Sequence, residues 1–547
     1  MSRPSSAVTG SQRVVVIGGG IAGLATAALL AEEGHSVVVV EARGETGGRA
    51  GSWEHDGFRF DTGPSWYLMP EVFDHFFALL GTSAAAELDL VPLSPAYRVY
   101  GEPEGTGPAE AVDVVSGRAE ATALFESREA GAGDRLADYL DSAGDAYDLS
   151  VTKFLYDTYA SSEGLRDPDL LRRLPTLAPL LTRSLVRHIE SRFDDPILRQ
   201  ILGYPAVFLG SSPYDVPSLY HLMSHLDLDD AVLYPRGGFT EVIAAIERLA
   251  VARGVEVRTG IPVAQILTGT DGRARGVRLA DTTELDADIV VSTADLHHTE
   301  TVLLPPDQRS YPESWWRKRT PSFGALLVLL GVEGELPELA HHTLLFTRDW
   351  RENFEAISGR DATIPDPASL YVCRPSATDD TVAPAGAENL FVLVPIPADP
   401  ALGRGGVDGA GDALIEAAAD RAIDQIASWT GASDLRARIR VRRTIAPGDF
   451  AADLGAWRGN ALGLAHTLGQ SALFRPGNAS KKVSGLLYAG GSVLPGIGLP
   501  MCLISAELVV KRLRGDTSAG PIAEPIADEA AIDGGADAGI ATGTTTA

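Results

Sequence analysis

Cysteine is scarce in this chain of 547 residues, which contains only Cys373 and Cys502. The two lie far apart in the sequence and form neither a C-x-x-C motif nor the even, closely spaced set typical of a disulfide framework. This excludes the small disulfide-stabilised class of secreted domains. The sequence therefore predicts a cytoplasmic protein.

Basic residues are also few, because 46 Lys and Arg stand against 73 Asp and Glu and give a formal charge of -27. Such an excess of acid repels polyanions, and a nucleic-acid partner is excluded. Broad electrostatic adhesion to anionic lipid is disfavoured for the same reason. Any contact with a membrane surface must be local.

No apolar run is suited to crossing a membrane. Residues 483–506 carry no charge, but their glycines and prolines would break a spanning helix. Residues 1–12 have no apolar core of the secretory kind and are predicted to form a flexible leader. Residues 515–547 contain no Lys or Arg and are predicted to be a disordered acidic tail.

The strongest positive signal begins with the apolar run at residues 14–17, typical of a parallel strand buried on both faces. Gly18, Gly20 and Gly23 follow it and open a predicted helix over 21–33. In such a unit the first glycine makes a tight turn, the second lets the backbone approach a pyrophosphate, and the third lets the helix pack closely on the sheet. The pattern predicts a dinucleotide site at the helix N-terminus.

The rest of the unit specifies the dinucleotide. A second apolar run, 37–40, ends in Glu41, where a carboxylate can accept hydrogen bonds from an adenosine ribose. Gly47, Gly48 and Arg49 would bring a second close backbone approach and a cationic fork to the same phosphates. This addition favours FAD over the shorter NAD.

A late strand at 486–488 feeds glycines into a predicted helix over 499–514, but no G-x-G-x-x-G with a following strand and acid accompanies it. The sequence therefore predicts one dinucleotide site. An enzyme with one bound flavin and no nicotinamide site must pass electrons to a diffusible acceptor, a quinone or oxygen.

Residues 167–193 form an amphipathic stretch in which leucines recur every three or four positions among several arginines. Two interpretations remain open. The stretch is either a core helix with a solvated arginine face or a helix lying in a membrane interface.

Two vicinal histidine pairs, His297-His298 and His341-His342, raise the question of a metal site. Neighbouring residues on a strand point to opposite faces, and neighbours on a helix differ by about 100°. No Cys or carboxylate set completes either pair in the sequence. We therefore predict no metal.

The segments together resemble the bacterial phytoene desaturase family of carotenoid dehydrogenases, within the flavin amine oxidase-like superfamily. The resemblance covers nearly all of residues 13–514. It depends on these segments: GGGIAGLATAALLA, ETGGRAG, FDTGPS, YPRGGFTEVIAAIERLA, VVSTADL, HHTLLFTRDWRENFEAI, SLYVCRPSATDDTVAPAG, GLAHTLGQSALFRPGN and LLYAGGSVLPGIGLPMCLISAELV.

The resemblance implies an α/β fold, in which a Rossmann-like FAD-binding domain of the glutathione reductase and amine oxidase type is interleaved with an α+β substrate domain. The predicted domains are a leader (1–12), the FAD-binding domain (13–91, 233–304 and 485–514), the substrate and membrane-associating domain (92–232 and 305–484) and the tail (515–547).

Particular residues acquire roles through the resemblance. The ADP part of FAD would be held by Gly18, Gly20, Gly23, Glu41, Gly48 and Arg49. Val263 would meet the adenine, and the flavin ring and ribityl chain would contact Gly491, Leu499, Pro500 and Met501. Asp169 and Arg172 resemble a pair for which acid/base roles have been suggested in the family.

The activity implied is FAD-dependent desaturation of a carotenoid by a cytoplasmic, peripherally membrane-associated enzyme, with a quinone or oxygen as acceptor. The same fold also leaves open a flavin-dependent carotene isomerase and an amine or porphyrinogen oxidase. A flavin-binding carotenoid carrier without turnover is a further alternative. No pattern in the sequence indicates an oligomeric state.

Overall fold

The computed structural model describes residues 10–105, 107–161 and 168–525. The strands are β1 (Arg13–Ile17), β2 (Ser36–Val40), β3 (Ser52–His55), β4 (Phe58–Asp61), β5 (Leu90–Pro92), β6 (Tyr97–Gly101), β7 (Ala111–Val114), β8 (Leu233–Pro235), β9 (Glu256–Arg258), β10 (Val263–Thr268), β11 (Ala274–Leu279), β12 (Glu284–Asp286), β13 (Ile289–Ser292), β14 (Gly324–Glu333), β15 (His342–Phe346), β16 (Leu370–Cys373), β17 (Ala387–Ile396), β18 (Ile439–Ile445) and β19 (Leu486–Tyr488).

The helices are α1 (Ile21–Glu32), α2 (Pro70–Leu79), α3 (Ala84–Glu87), α4 (Arg118–Arg128), α5 (Ala132–Ser150), α6 (Pro168–Thr182), α7 (Leu185–Glu190), α8 (Pro196–Gly203), α9 (Met223–Leu228), α10 (Phe239–Ala252), α11 (Leu296–Thr301), α12 (Glu313–Trp316), α13 (Trp350–Ser358), α14 (Ala413–Thr430), α15 (Pro447–Leu454) and α16 (Leu499–Arg514). Among the described residues, no helix combines the length and the apolar content that crossing a bilayer requires.

A five-stranded parallel sheet is built in the order β19-β13-β1-β2-β9. Strand β1 lies at its centre, and its valines are buried because helices cover one face of the sheet and the three-stranded sheet β10-β11-β12 covers the other. Helix α1 packs beside α10 and α16 on one face. The sheet therefore unites segments from the beginning, middle and end of the chain, and the predicted Rossmann-like fold class is confirmed.

A seven-stranded mixed sheet is built in the order β18-β14-β17-β16-β15-β6-β7. Its long central pair, β14 and β17, is almost wholly buried because helices and loops cover both faces. Strands β6 and β7 come from the first predicted substrate segment and the others from the second. The sheet joins the two segments across the intervening nucleotide-binding sequence.

The end of β4 is hydrogen-bonded to the N-terminus of α10. The Asp61 carboxylate accepts hydrogen bonds from the backbone N–H of Phe239, 2.8 Å, and from the Thr240 hydroxyl, 3.3 Å. Asp61 thereby satisfies N-terminal donors of α10, although burial raises the pKa of its carboxyl to about 6. The FDTGPS and YPRGGFTEV segments are thus held together.

The amphipathic stretch is mostly core. Leu185, Ile189 and Phe193 are buried against the helices around α5, and Leu177 packs on Leu149 and Leu170. Leu181 is the exception, with 36% of its surface exposed. The interpretation as a core helix with a solvated arginine face therefore describes most of these residues.

The start of the predicted disordered tail is packed. The buried Lys511 ammonium donates to the carbonyl oxygens of Ser518, 2.8 Å, and Gly520, 2.5 Å. Ile522 donates its backbone N–H to the buried Glu507 carboxylate. Two buried charges of α16 thus take partners from residues 516–525, whereas residues 526–547 lie outside the described part of the chain.

We expect truncation at two positions to show how much residues 516–525 and residues 526–547 each contribute to stability. Deleting residues 516–547 should lower the free energy of unfolding by about 2 kcal/mol or more, since hydrogen bonds to buried charges are worth roughly 1.5–3 kcal/mol each. Deleting residues 526–547 is the matched control and should leave the melting temperature unchanged. Equal melting temperatures for both truncations, measured by calorimetry, would contradict the packing of the segment.

Candidate active site

One cavity of about 1070 Å³ runs between the two sheets and opens to the surface. The glycine turn after β1 and the loop that contains Gly48 and Arg49 line one end. Apolar residues line the remainder, and they include Leu68, Phe208, Leu327, Phe346, Phe391 and Phe450. The cavity thus combines a polar nucleotide end with a long apolar chamber.

The three glycines of the turn have different surroundings. Gly18 has a φ of +101°, which favours glycine. A Cβ at Gly23 would lie 1.9 Å from the carbonyl oxygen of Gly18, so only glycine lets α1 approach β1. A Cβ at Gly20 would meet nothing closer than the Gly47 carbonyl oxygen, at 3.7 Å, and Gly20 lines the cavity. Gly20 therefore leaves room that a dinucleotide phosphate can fill.

The Glu41 carboxylate lies at the same end of the cavity and is buried. It accepts hydrogen bonds from the backbone N–H of Gly19, 2.6 Å, and of Arg43, 2.8 Å. These two bonds fix the carboxylate, and each oxygen keeps capacity for one more donor. Two ribose hydroxyls are suitable donors.

Arg49 lines the cavity together with the glycines of the turn. Its Nε and Nη2 have no hydrogen-bond partner among the described residues, and Nη2 lies 3.9 Å from Asp295 Oδ2. A guanidinium with unused donors at a cavity wall is suited to phosphate oxygens. The residues present therefore fit a dinucleotide.

The far side of the nucleotide end is the turn between β19 and α16. Arg475 is buried beneath it and donates four hydrogen bonds to backbone carbonyls, those of Leu464, Gln470, Gly491 and Val493. Burial lowers the pKa of this guanidinium to about 10. No carboxylate of the described residues forms an ion pair with it; two of its hydrogen bonds go to the backbone of the turn, at Gly491 and Val493, and two go to the segment before Arg475.

Asn478 and Ser505 complete this support. Asn478 Nδ2 donates to the carbonyl oxygens of Tyr488 and Leu494 and to Ser505 Oγ. Ser505 Oγ in turn accepts from the backbone N–H of Gly490. The buried polar groups of the FRPGN segment therefore fix the glycine-rich turn.

His466 joins the turn to the chamber, and both it and Tyr220 line the cavity. Its Nε2 accepts a hydrogen bond from the backbone N–H of Ile497, 3.3 Å, and its Nδ1 lies 3.1 Å from the Tyr220 hydroxyl. Burial, with the nearby Arg475 charge, holds the pKa of His466 well below its usual value. The imidazole is therefore neutral.

Most residues assigned to the cofactor by the sequence line this cavity. They are Gly18, Gly20, Glu41, Gly48, Arg49, Val263, Gly491, Leu499, Pro500 and Met501. Gly23 lies behind the wall, where it allows α1 to pack on β1.

Of the suggested acid/base pair, only the side chain of Arg172 is described by the structure. Arg172 lies on α6, is exposed, and is not among the residues that line the chamber. The side chain of Asp169 lies outside the described part of the structure. A role for Asp169 and Arg172 stays a prediction.

The mouth of the chamber was not anticipated from the sequence. Leu181, Leu468, Leu473 and Phe474 line the cavity and are also exposed, by 36%, 46%, 48% and 57%. Three of them belong to the LGQSALFRPGN segment, whose short 3₁₀ turns carry no amphipathic periodicity. The only sign of this mouth in the sequence was that its apolar residues stand close to glycine and serine, which are typical of exposed turns.

Comparison with known proteins gives close relatives. Residues 21–514 match the family described as flavin containing amine oxidoreductase. A carotenoid 3,4-desaturase from Haloarcula japonica is 40% identical over 503 residues, which cover 92% of this chain and 98% of that protein. A zeta-carotene-forming phytoene desaturase from Myxococcus xanthus is 34% identical over 512 residues, 93% of this chain and 95% of its own.

Solved structures support the fold alone. An oxidoreductase from Methanosarcina mazei superimposes with a TM-score of 0.58 at 17% identity, covering 91% of this chain and 100% of that one. The likeness extends over both sheets and their connections.

Proposed function

Because this chain belongs to the carotenoid desaturases of the flavin-containing amine oxidoreductase family, we propose that it desaturates a carotenoid with FAD as its cofactor and a quinone or oxygen as final acceptor. The chain is a flavin-dependent oxidoreductase of carotenoid biosynthesis. When bound, the flavin would accept a hydride from a C–H bond of a carbon beside a polyene, while the neighbouring carbon would lose a proton to solvent as the new C=C bond forms. The observation that carries the proposal is the single cavity that joins a dinucleotide end to an apolar chamber.

FAD is favoured over a smaller flavin by the glycine end of the cavity. Gly20 leaves space for a pyrophosphate, Glu41 keeps acceptor capacity for ribose hydroxyls, and Arg49 has unused donors. A mononucleotide would leave the Glu41 end without a ligand. The adenosine half of FAD supplies one.

The protein's own contribution to the reaction is alignment and exclusion of water. A polyene carries no charged group that the protein could bind. The chamber walls must therefore position it by shape complementarity, through side chains such as Leu68, Phe208 and Phe391. The neutral His466, and Arg475 with its four hydrogen bonds to backbone carbonyls, keep the turn beside the chamber fixed. Such a dry, rigid channel suits hydride removal from a hydrocarbon.

Product analysis tests the proposal. Purified protein with FAD should convert phytoene or a longer acyclic carotenoid in liposomes into polyenes of longer wavelength when a quinone or oxygen is present. NAD(P)⁺ should not replace the acceptor. Oxidation of an amine or a porphyrinogen, with every carotenoid unchanged, would leave the fold intact and refute the function.

The mouth of the chamber is suited to a bilayer, from which a carotenoid must be taken. Leu181, Leu468, Leu473 and Phe474 surround the opening, and Arg183 and Arg187 are exposed on the adjacent surface. Exposed apolar side chains with basic neighbours favour the lipid interface. The docking surface we propose is therefore this mouth, whereas Leu177 and Leu185 pack in the protein core.

Replacing Leu473 and Phe474 together with serine should weaken binding to liposomes about tenfold or more, since each buried apolar side chain contributes about 1.5–3 kcal/mol. Flavin content should be unchanged. The matched control replaces the exposed Val251 and Leu414, which do not line the cavity, with serine. Binding is measured by flotation with the liposomes. If both variants float to the same extent, the membrane contact lies elsewhere on the protein.

A further inference from the structure

Two histidines and a cysteine meet in the mixed sheet. His342 begins β15 and lies directly opposite Cys373 on β16, so their side chains share one face of the sheet. His341 precedes the strand. One ring nitrogen of each histidine and the Cys373 Sγ lie within 4.8 Å of one another, and all three residues are buried.

The two imidazoles have the same pattern of hydrogen bonds. His341 Nδ1 lies 2.8 Å from Thr378 Oγ1, and His342 Nδ1 lies 2.8 Å from the Tyr371 hydroxyl. Neither Nε2 has a hydrogen-bond partner among the described residues.

A neutral imidazole that donates through Nδ1 carries a lone pair on Nε2. Leaving a buried acceptor unpaired costs about 1–3 kcal/mol, and two such atoms, one on each of two adjacent histidines, need an explanation. Metal-binding histidines use this arrangement, in which the second ring nitrogen is fixed by a hydrogen bond and the first is left for the ion.

We propose that His341, His342 and Cys373 bind one thiophilic metal ion, Zn²⁺ or Cu⁺, between strands β15 and β16. Two imidazole nitrogens and a thiolate are the ligands that both ions prefer. Binding replaces the thiol proton, which passes to solvent, and involves no change of oxidation state. The Asp61 carboxylate acts electrostatically on Cys373 and would offset part of the ion's charge.

The ion would stiffen the chamber wall. Trp66 stacks on the His342 ring at a centroid distance of 4.2 Å, and both Trp66 and Tyr371 line the cavity. The Tyr371 hydroxyl bonds both His342 Nδ1 and Ser65 Oγ, at 2.8 and 2.7 Å, so the same wall residue contacts a proposed ligand. Binding should therefore stabilise the holoenzyme against heat.

The prediction of no metal depended on two arguments that do not hold for His341 and His342. Neighbours point to opposite faces only inside a regular strand, and His341 lies before β15 begins. The sulfur ligand comes from a neighbouring strand, and the register that brings Cys373 opposite His342 is not readable from spacing.

The test uses the full-length, flavin-loaded protein. After treatment with a chelator and a thiol reductant, it is dialysed against Zn²⁺, Cu⁺ or Co²⁺ and analysed by elemental mass spectrometry. We expect one ion per chain, a rise in melting temperature with Zn²⁺ or Cu⁺, and a thiolate-to-metal charge-transfer band with Co²⁺. The ion that protects against heat at the lower concentration identifies the native metal.

Two cysteine variants assign the ligand. Cys373→Ser should lose the bound ion and the cobalt band, and Cys502→Ser, the matched control, should keep both. If Cys373→Ser does not fold, the band in Cys502→Ser still decides, because Cys373 is then the remaining thiol. No uptake by the wild type, or a band that disappears in Cys502→Ser, overturns the proposal.

Discussion

Replacing Gly20 with valine should abolish flavin binding while leaving the polypeptide folded. A Cβ at this position would stand 3.7 Å from the Gly47 carbonyl oxygen, an ordinary contact, so the protein itself tolerates a side chain there. The branched side chain would project into the cavity, where we place the pyrophosphate. We expect the dissociation constant to rise about 100-fold or more, equivalent to ~2.7 kcal/mol.

The measurement is flavin absorbance per chain after gel filtration, with circular dichroism to verify the fold. Gly44→Val is the matched control, because Gly44 lies exposed in the neighbouring loop with nothing within 4 Å of its Cβ position. It should bind flavin like the wild type. Normal flavin content in Gly20→Val would refute the placement of the cofactor.

Replacing Arg475 with leucine should lower both the free energy of unfolding and the affinity for flavin. The substitution removes four donors from the carbonyls of Leu464, Gln470, Gly491 and Val493. Buried polar groups left unpaired cost about 1–3 kcal/mol each, and the losses are not additive, so we expect a fall of about 3 kcal/mol or more in the free energy of unfolding. Because Gly491 lines the cavity, flavin affinity should fall with it.

The matched control is Arg348→Leu, since among the described residues that guanidinium makes a single exposed hydrogen bond, to the Pro103 carbonyl oxygen. Chemical unfolding followed by fluorescence should place this variant close to the wild type. If Arg475→Leu unfolds at the same denaturant concentration as the wild type and retains its flavin, then contacts other than those of Arg475 support the turn.

The nucleotide end could be predicted from the sequence because each of its requirements is local. The turn at Gly18, the close approach at Gly23 and the carboxylate of Glu41 all occur within one strand-helix-strand unit. Their spacing in the sequence therefore fixes their spacing in the structure. The confirmed fold class has the same origin, since buried parallel strands give continuous apolar runs.

The remaining features depend on contacts between distant segments. Arg475 supports Gly491 from another loop, and Cys373 reaches His342 only through strand register. Leu185 and Leu181 have the same character in an amphipathic pattern, yet one is buried and the other exposed. Such differences follow from tertiary packing, which periodicity does not encode.

The most direct test of the central claim is a single turnover without oxygen. The flavoprotein is mixed anaerobically with a series of acyclic carotenoids in liposomes, and the flavin and polyene spectra are followed together. We predict that the oxidised flavin band bleaches as a longer polyene forms, and that adding a quinone restores it. A flavin that stays oxidised with every carotenoid but bleaches with an amine or a porphyrinogen would contradict the account.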